Sequence, residues 1–148
     1  MLMLLAACGG GATGSAGGAL SASEVVGVWS VAPKATGCVS GPFLLTFTGS
    51  SDEVQPGGSL TFASTWSGQS AGGRLYGTVN LSTRSVVLRL FGPVGVDQAA
   101  SVEGTLRDTL NTRMLIAQFT DPYAGLPPLF GAAGCSTPVI GTHTTAGP

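Results

Sequence analysis

Residues 59–81 read SLTFASTWSGQSAGGRLYGTVNL, and this stretch decides the fold class because its side chains alternate in character. Leu60, Phe62 and Trp66 fall on one side of the alternation, and leucine and valine recur in the same way after the glycine-rich interruption. A period of two residues indicates half-buried antiparallel strands. The stretch is therefore predicted to form two strands, at residues 59–67 and 74–81.

The same short alternating runs recur along the rest of the chain, between clusters of Gly, Pro, Ser and Asp. Strong helical periodicity is missing. Regular short strands favour a barrel or a sandwich. We expect an all-β fold, an antiparallel up-and-down eight-stranded barrel, with a β-sandwich as the alternative. The six further strands are predicted at residues 25–31, 42–48, 85–91, 101–107, 113–120 and 138–144.

The sequence begins MLMLLAAC, an apolar run that ends in two alanines and a cysteine. Leu5-Ala6-Ala7-Cys8 resembles the lipobox of bacterial lipoprotein precursors. The resemblance implies that Cys8 carries a diacylglycerol and that the protein is anchored to a membrane in the bacterial cell envelope, outside the cytoplasm. The run is short and lacks a basic segment, so we expect the signal to start upstream. The alternative is an apolar N-terminus on a cytosolic protein.

Residues 9–23 are nearly all Gly, Ala, Ser and Thr. Such a composition buries little apolar surface and is typical of a flexible tether. The predicted organisation is therefore a truncated signal segment at residues 1–7, the lipidated cysteine and its tether at residues 8–23, and a single β-barrel domain at residues 24–148.

The remaining cysteines, Cys38 and Cys135, form a predicted disulfide. Cysteines outside the cytoplasm usually join in pairs, and Cys8 is assigned to the lipid. In an eight-stranded meander the first and last strands become neighbours, and Cys38 follows the first strand while Cys135 precedes the last. A bridge between them would close the seam of the barrel. The alternative is two unrelated buried thiols.

The composition disfavours several classes of function. The chain has six basic and seven acidic residues, only 9% charged in total, whereas about a quarter is usual. Scattered charges leave no electrostatic footprint for nucleic acid. No run after the tether approaches the roughly 20 apolar residues of a membrane-spanning helix. The single histidine excludes a histidine-rich metal site, and we expect no cofactor.

A hydrolase pattern is present but lacks its structural context. Gly68-Gln69-Ser70-Ala71-Gly72 matches G-x-S-x-G, and Asp121 and His143 follow in the α/β-hydrolase order. That motif needs a sharp strand-to-helix turn to expose the serine. A predicted strand follows here instead, so we expect no Ser70–His143–Asp121 triad and no enzyme activity.

Two motifs resemble small barrel families. Gly27-Val28-Trp29 resembles the Gly-x-Trp opening of lipocalins, and Ser64-Thr65-Trp66-Ser67-Gly68-Gln69 resembles a strand of the avidin–streptavidin family. The resemblance implies a lipocalin-like barrel, and barrel mouths commonly bind small molecules. An apolar or amphipathic small molecule is therefore the expected ligand. The candidate lining residues, for which ordinary packing is the alternative, are Trp29, Phe62, Trp66 and Tyr76.

A third resemblance points to an alternative function. Residues 67–76, SGQSAGGRLY, are similar to the Ser/Gly-rich loop of bacterial lipoproteins that inhibit lysozyme, although arginine stands here in place of lysine. The resemblance implies a module that binds a protein partner through the loop at residues 67–74. The candidate contact residues are Ser70, Arg74 and Tyr76.

The connection between the seventh and eighth strands is unusually long. Residues 121–138, DPYAGLPPLFGAAGCSTP, are rich in Pro and Gly but also carry large apolar side chains. Connections of this length in compact domains are often lids or binding loops. We predict that Leu129 and Phe130 cap one end of the barrel.

Overall fold

The structure, a computed structural model, describes residues 18–35, 38–39, 41–48, 58–68, 71–92, 99–110, 112–122 and 134–144. It contains one short 3₁₀ segment, Ala22–Glu24, and eight strands. The strands are β1 (Gly27–Pro33), β2 (Phe43–Phe47), β3 (Ser59–Gly68), β4 (Ala71–Asn80), β5 (Ser85–Phe91), β6 (Ala99–Asp108), β7 (Arg113–Asp121) and β8 (Cys135–Thr144).

The eight strands close into a barrel in sequence order, and β8 pairs with β1. Every neighbouring pair is antiparallel. The predicted up-and-down barrel is confirmed, and the sandwich alternative is wrong. A small barrel of this kind is consistent with a lipocalin-like domain. Each of the eight described strands has a hydrogen-bonded neighbour on both sides, which reduces the exposed edges at which sheets aggregate.

Alternation along each strand builds the core. In β5 the buried residues alternate with exposed ones, because successive side chains of a strand point to opposite faces of the sheet. The inward set from all eight strands fills the barrel with large apolar side chains. The largest of those that are fully buried are Trp29, Trp66, Phe43, Phe47, Phe119, Leu45, Leu60, Leu75, Leu88 and Leu90.

The hairpin between β3 and β4 is tighter than the sequence predicts. Pairing continues to Gly68 opposite Ala71, so β4 begins before Arg74. Most of the predicted loop at residues 67–74 is therefore strand. The reason is that glycine and alanine can extend a ladder when the neighbouring strand offers hydrogen-bond partners, despite their low strand propensity.

The packed region extends N-terminally of Glu24. Residues 18–26, the strap, cross the end of the barrel at which β1 begins, and the Leu20 amide donates a hydrogen bond of 2.9 Å to the carbonyl of Leu81. Leu20, Ala22 and Val25 are buried there. These side chains cover the core at this end, which we call the N-terminal end.

The opposite end carries the disulfide. Cys38 and Cys135 are bonded, with their Cα atoms 5.5 Å apart, so the predicted pairing is confirmed. The bridge connects the segment after β1 to the first residue of β8. The Cys38 amide also donates to the Thr137 hydroxyl at 3.3 Å. The bond therefore closes the seam at this, the disulfide end.

Several sequence predictions lie outside the described residues. These include lipidation of Cys8, the contact role of Ser70 and the capping role of Leu129 and Phe130. Within the described ranges no helix is long and apolar enough to cross a membrane.

Candidate functional site

Trp29 lies in the core of the barrel. It is 0% exposed, and its Nε1 donates a hydrogen bond of 2.9 Å to the Val25 carbonyl. Its ring packs against Phe47 and against His143, whose centroid is 4.8 Å away. The strap and the last strand thus hold this tryptophan in place. The only polar atom of its side chain, Nε1, is therefore already hydrogen bonded within the protein.

The glycine of the Gly-x-Trp motif has a steric explanation. Gly27 has φ +134°, and a Cβ there would come within 2.6 Å of His143 Nε2. That nitrogen lies 3.0 Å from the Val26 carbonyl oxygen and donates to it. Only glycine leaves room for the histidine to reach the strap while its ring lies on Trp29. The motif therefore serves packing at the N-terminal end.

Trp66 is also internal. It is buried in β3, and its Nε1 donates a hydrogen bond of 2.7 Å to the Phe91 carbonyl on β5. The bond spans the intervening strand β4 at Gly73, the register partner of Trp66. A Cβ on Gly73 would lie 1.9 Å from the Phe91 carbonyl oxygen, so glycine is required there.

Among the aromatic candidates whose side chains are described, Tyr76 is therefore not brought together with Trp29 and Trp66. Trp29 and Trp66 face the interior, whereas Tyr76 lies on the outside of β4 with 42% of its surface exposed. Phe62 is in β3, but its side chain lies outside the described part of the structure.

Tyr76 and Arg74 both contact the ring of Phe91 on the outer surface. The ring of Phe91 stands edge-on to Tyr76, with centroids 5.6 Å apart. The guanidinium carbon of Arg74 lies 5.8 Å from the centroid of the same Phe91 ring. Stacking of this kind holds an arginine in one orientation while its donors stay available. We call Arg74, Tyr76, Arg89 and Phe91 the arginine–aromatic face.

Arg89 completes this face. It is the register partner of Tyr76, and its Nη2 lies 3.7 Å from Glu103 Oε1, with both side chains about half exposed. Among the described residues no carboxylate lies within ion-pair distance of Arg74. The face therefore carries an excess of positive charge beside two aromatic rings.

Phe91 is the residue that sequence reasoning missed. It ends the fifth predicted strand, and nothing in its local pattern distinguishes it from a core residue. The β4–β5 turn sets the antiparallel register of the two strands. Counting outward from that turn along both strands places Phe91 beside Arg74.

A second charged cluster lies at the N-terminal end. Arg113 contacts Asp108 at 2.8 Å and Glu24 at 2.9 Å. Arg84 contacts the other Asp108 oxygen at 2.8 Å, and its Nη2 donates to the Gly18 carbonyl at 2.7 Å. We call Glu24, Arg84, Asp108 and Arg113 the rim clamp, because it ties the strap to the β5 and β7 ends.

The rim clamp shifts the ionisation of its members. Hydrogen bonds from Arg113 and Arg84 lower the pKa of Asp108. Hydrogen bonds from the Ser21 backbone and side chain, and then from Arg113, lower the pKa of Glu24. Burial works against the charge of Arg113, but its two carboxylate partners outweigh burial and raise its pKa. Each charged group of the rim clamp has an ion-pair partner, although Arg84 Nε is buried without a hydrogen-bond partner among the described residues. The ion pairing favours a structural role.

Asp121 and His143 of the hydrolase pattern lie toward opposite ends of the barrel. Asp121 pairs with Cys135 at the disulfide end, whereas His143 pairs with Trp29 near the N-terminal end. Ser70 lies outside the described residues. Across the part of the chain that is described, no three metal-ligating side chains gather into a possible ion site.

No family of known proteins matches the sequence, and neither a curated protein nor a solved structure matches it. The class of the molecule is therefore given by its architecture, a small closed antiparallel barrel with an exposed arginine–aromatic face.

Proposed function

We propose that the protein is a lipid-anchored cell-envelope protein whose barrel binds a protein partner through the arginine–aromatic face. The observation that carries the proposal is the contact of Arg74, Tyr76 and Phe91 on an exposed surface. Tyr, Phe and Arg are the residue types enriched in protein–protein interfaces, and Tyr and Arg often dominate their binding energy.

The expected partner presents a carboxylate beside an apolar surface. The guanidinium of Arg74 is a planar fork that can bind a carboxylate through two hydrogen bonds. The rings of Tyr76 and Phe91 supply apolar contact next to it. Catalytic clefts of glycoside hydrolases carry paired carboxylates. With the resemblance of residues 67–76 to lysozyme-inhibiting lipoproteins, this chemistry favours a lysozyme as the partner.

The burial of the two tryptophans favours this function over that of a small-molecule carrier. Trp29 and Trp66 are almost completely buried, and the Nε1 of each is hydrogen bonded to a backbone carbonyl. Buried polar groups with a partner gain little by exchanging it for a ligand. We therefore assign both side chains to the packed core.

The position of the face supports presentation away from a membrane. The strap holds Gly18 at the N-terminal end, and a lipid on Cys8 would join the barrel from that side. The chain from a lipid-bearing Cys8 to Gly18, ten residues along, spans at most about 35 Å when fully extended, which limits the distance from the membrane to the N-terminal end. Arg74 and Phe91 lie toward the disulfide end of their strands.

Binding to a lysozyme tests the proposed contact. Purified protein with Cys8→Ser should bind immobilised lysozyme saturably and reduce its hydrolysis of cell walls. Arg74→Ala and Tyr76→Ala should each weaken binding by about 30-fold or more, as expected for interface hot spots. Arg107→Ala, an exposed arginine of β6 outside the face, is the control and should bind normally. Binding weaker than about 1 mM would show that the proposed partner is wrong.

Detergent partitioning tests the anchor. The protein exported from a bacterial host, expressed with an upstream signal, should enter membranes and the Triton X-114 detergent phase. The Cys8→Ser variant should stay in the aqueous phase. Equal partitioning of the two forms would contradict lipidation.

A further inference from the structure

A hydrogen bond from the core reaches the end of β5, where the pairing of β5 with β4 stops. The paired register of these strands ends where Leu75 stands opposite Leu90. β5 continues to Phe91, which has no register partner on β4 among the described residues. Its carbonyl instead accepts the 2.7 Å hydrogen bond from Nε1 of Trp66 on β3. A side chain from two strands away thus takes the place of a backbone donor.

The space for this bond lies on the inner side of Gly73. A Cβ there would lie 1.9 Å from the Phe91 carbonyl oxygen and 2.9 Å from Trp66 Nε1, so the two bonded atoms occupy the place of a side chain. Trp66 is only 1% exposed, which leaves its N–H almost no access to water. A buried donor that loses its partner carries a desolvation penalty, and this penalty holds the indole on the Phe91 carbonyl.

Phe91 connects this internal bond to the arginine–aromatic face. Its ring lies outside the barrel, 5.6 Å from the Tyr76 ring and 5.8 Å from the Arg74 guanidinium carbon between centres. Holding the Phe91 carbonyl fixes the peptide plane that follows it, and backbone dihedrals decide which side-chain rotamers are allowed. Gly92 comes next, and glycine restricts the backbone little. The bond from Trp66 therefore supplies a restraint that the local sequence does not.

We propose that Trp66 is a positioning residue of the arginine–aromatic face. Its indole N–H holds the Phe91 backbone, and the Phe91 ring holds Arg74 and Tyr76 in one arrangement before a partner binds. Trp66 itself touches no partner. Immobilising a long side chain at an interface costs binding free energy, and the cost is smaller for an arginine that already rests on a ring. Only the expected effect on binding rests on the proposed function.

Nuclear magnetic resonance of the full chain with Cys8→Ser tests the positioning. Protons near an aromatic ring experience its ring current, so the chemical shifts of the Arg74 side chain report its place on the Phe91 ring. Phe91→Leu gives the reference values without that ring. Trp66→Phe removes the indole donor, and the Arg74 shifts should then move most of the way toward the Phe91→Leu values.

Trp29→Phe is the matched control. It removes the other buried indole donor, which bonds the Val25 carbonyl at 2.9 Å at the N-terminal end, so the Arg74 shifts should stay at the parent values. Benzothienylalanine in place of Trp66 keeps the shape of the indole without its N–H, and it should move the Arg74 shifts even if Trp66→Phe fails to fold. Unmoved Arg74 shifts without the N–H, or an equal movement in Trp29→Phe, would overturn the proposal.

Binding to lysozyme adds a second readout. Trp66→Phe should weaken binding by about three- to tenfold, the cost of ordering one long side chain. In an Arg74→Ala background the same change should matter by less than about twofold, because residues that act through each other are not additive. Full additivity of the two changes would contradict the positioning role. A parent protein that does not bind lysozyme would contradict the proposed function alone, since the chemical shifts decide the positioning separately.

Discussion

The outer surfaces of β4–β5 and of β8–β1 differ although the interior behind them is the same. Behind both lie fully buried aliphatic and aromatic side chains, such as Leu75 and Leu90 on one side and Val31 and Val139 on the other. Outside, the first pair presents arginines and aromatic rings, and the second presents isoleucine, alanine and threonine. The inward positions thus specify the barrel, whereas the outward positions are free to specify different partners.

The two regions also differ in how the chain connects their strands. β4 and β5 follow each other through a short turn at Leu81 to Arg84. β8 and β1 come from opposite ends of the sequence and are paired only by tertiary contacts, with the disulfide at one end and the strap at the other. The stability of the β8–β1 pair should therefore depend on long-range links more than that of the β4–β5 pair.

Removing the disulfide should have the largest effect on stability, and it should act on the β8–β1 side of the barrel. The bond closes a loop across 97 residues, and loops of about 100 residues contribute up to about 4.7 kcal/mol in the chain-entropy model. Cys38→Ala with Cys135→Ala should lower the free energy of unfolding in urea by about 4 kcal/mol.

The location of the effect is measured by hydrogen exchange. Amides of β1 and β8, such as those of Val31 and Gly141, should exchange faster in the double variant, while those of β4 and β5 should change less. Uniform acceleration around the barrel would show that the seam is not a separate weak point.

Gly73→Ala should have the next largest effect on stability, and it should act on the β4–β5 side of the barrel. Its Cβ would lie 1.9 Å from the Phe91 carbonyl oxygen and 2.9 Å from Trp66 Nε1. β4 and β5 must therefore separate locally. The separation breaks the hydrogen bond from Trp66 and moves the Phe91 ring, on which Arg74 stacks. Overpacking and the lost bond together should cost about 3 kcal/mol in unfolding free energy.

The control for this change is Gly18→Ala, because a Cβ at Gly18 meets nothing within 4 Å. It should change the free energy of unfolding by less than about 0.5 kcal/mol. Tryptophan fluorescence should shift only in Gly73→Ala. An unchanged urea transition in that variant would contradict the close approach of β4 and β5.

The sequence predicts the number, order and pairing of the strands because period-two alternation is a local signal. Strand ends are less well predicted, since pairing with neighbours decides them. The sixth strand, predicted at residues 101–107, is Ala99–Asp108, and the last begins at Cys135 instead of residue 138. Alanine and cysteine have no strong strand preference, but the adjacent strand offers hydrogen bonds that extend the ladder.

The candidate residues show the same difference between local patterns, which the sequence reveals, and strand pairing, which it does not. Arg74 and Tyr76 are predicted from a local motif and do lie together, whereas Phe91 joins them only through the register of β4 and β5. The strap is a similar case. The composition of residues 18–23 indicates a tether, yet Leu20 is buried. Two arginines hold this segment from distant points of the chain. Arg84 bonds Gly18, 66 positions away, and Arg113 bonds Glu24, 89 positions away. Composition alone does not reveal contacts between distant residues.

Acidification should produce the smallest effect on stability, and this effect should come from the rim clamp and not from the arginine–aromatic face. The pKa values of Glu24 and Asp108 are lowered from ordinary values of 4.5 and 3.8. Carboxylates with a lowered pKa stabilise the folded state above those ordinary values, and the contribution is lost as the pH falls through the lowered values. Stability should therefore decline below about pH 4.5. Because both carboxylate side chains are more than a third exposed, solvent screens these ion pairs and the loss should stay below about 1 kcal/mol.

Arg113→Met tests the source of this decline. Arg113 bonds both carboxylates, so its removal should destabilise the protein at pH 7 and matter less near pH 3, where the carboxylates are increasingly protonated. Urea unfolding of both proteins at the two pH values measures the difference. Arg107→Met is the control, since no carboxylate among the described residues pairs with Arg107. Its effect should be the same at both pH values. A constant effect of Arg113→Met would mean that the ion pairs of Arg113 are not the source of the decline in stability at low pH.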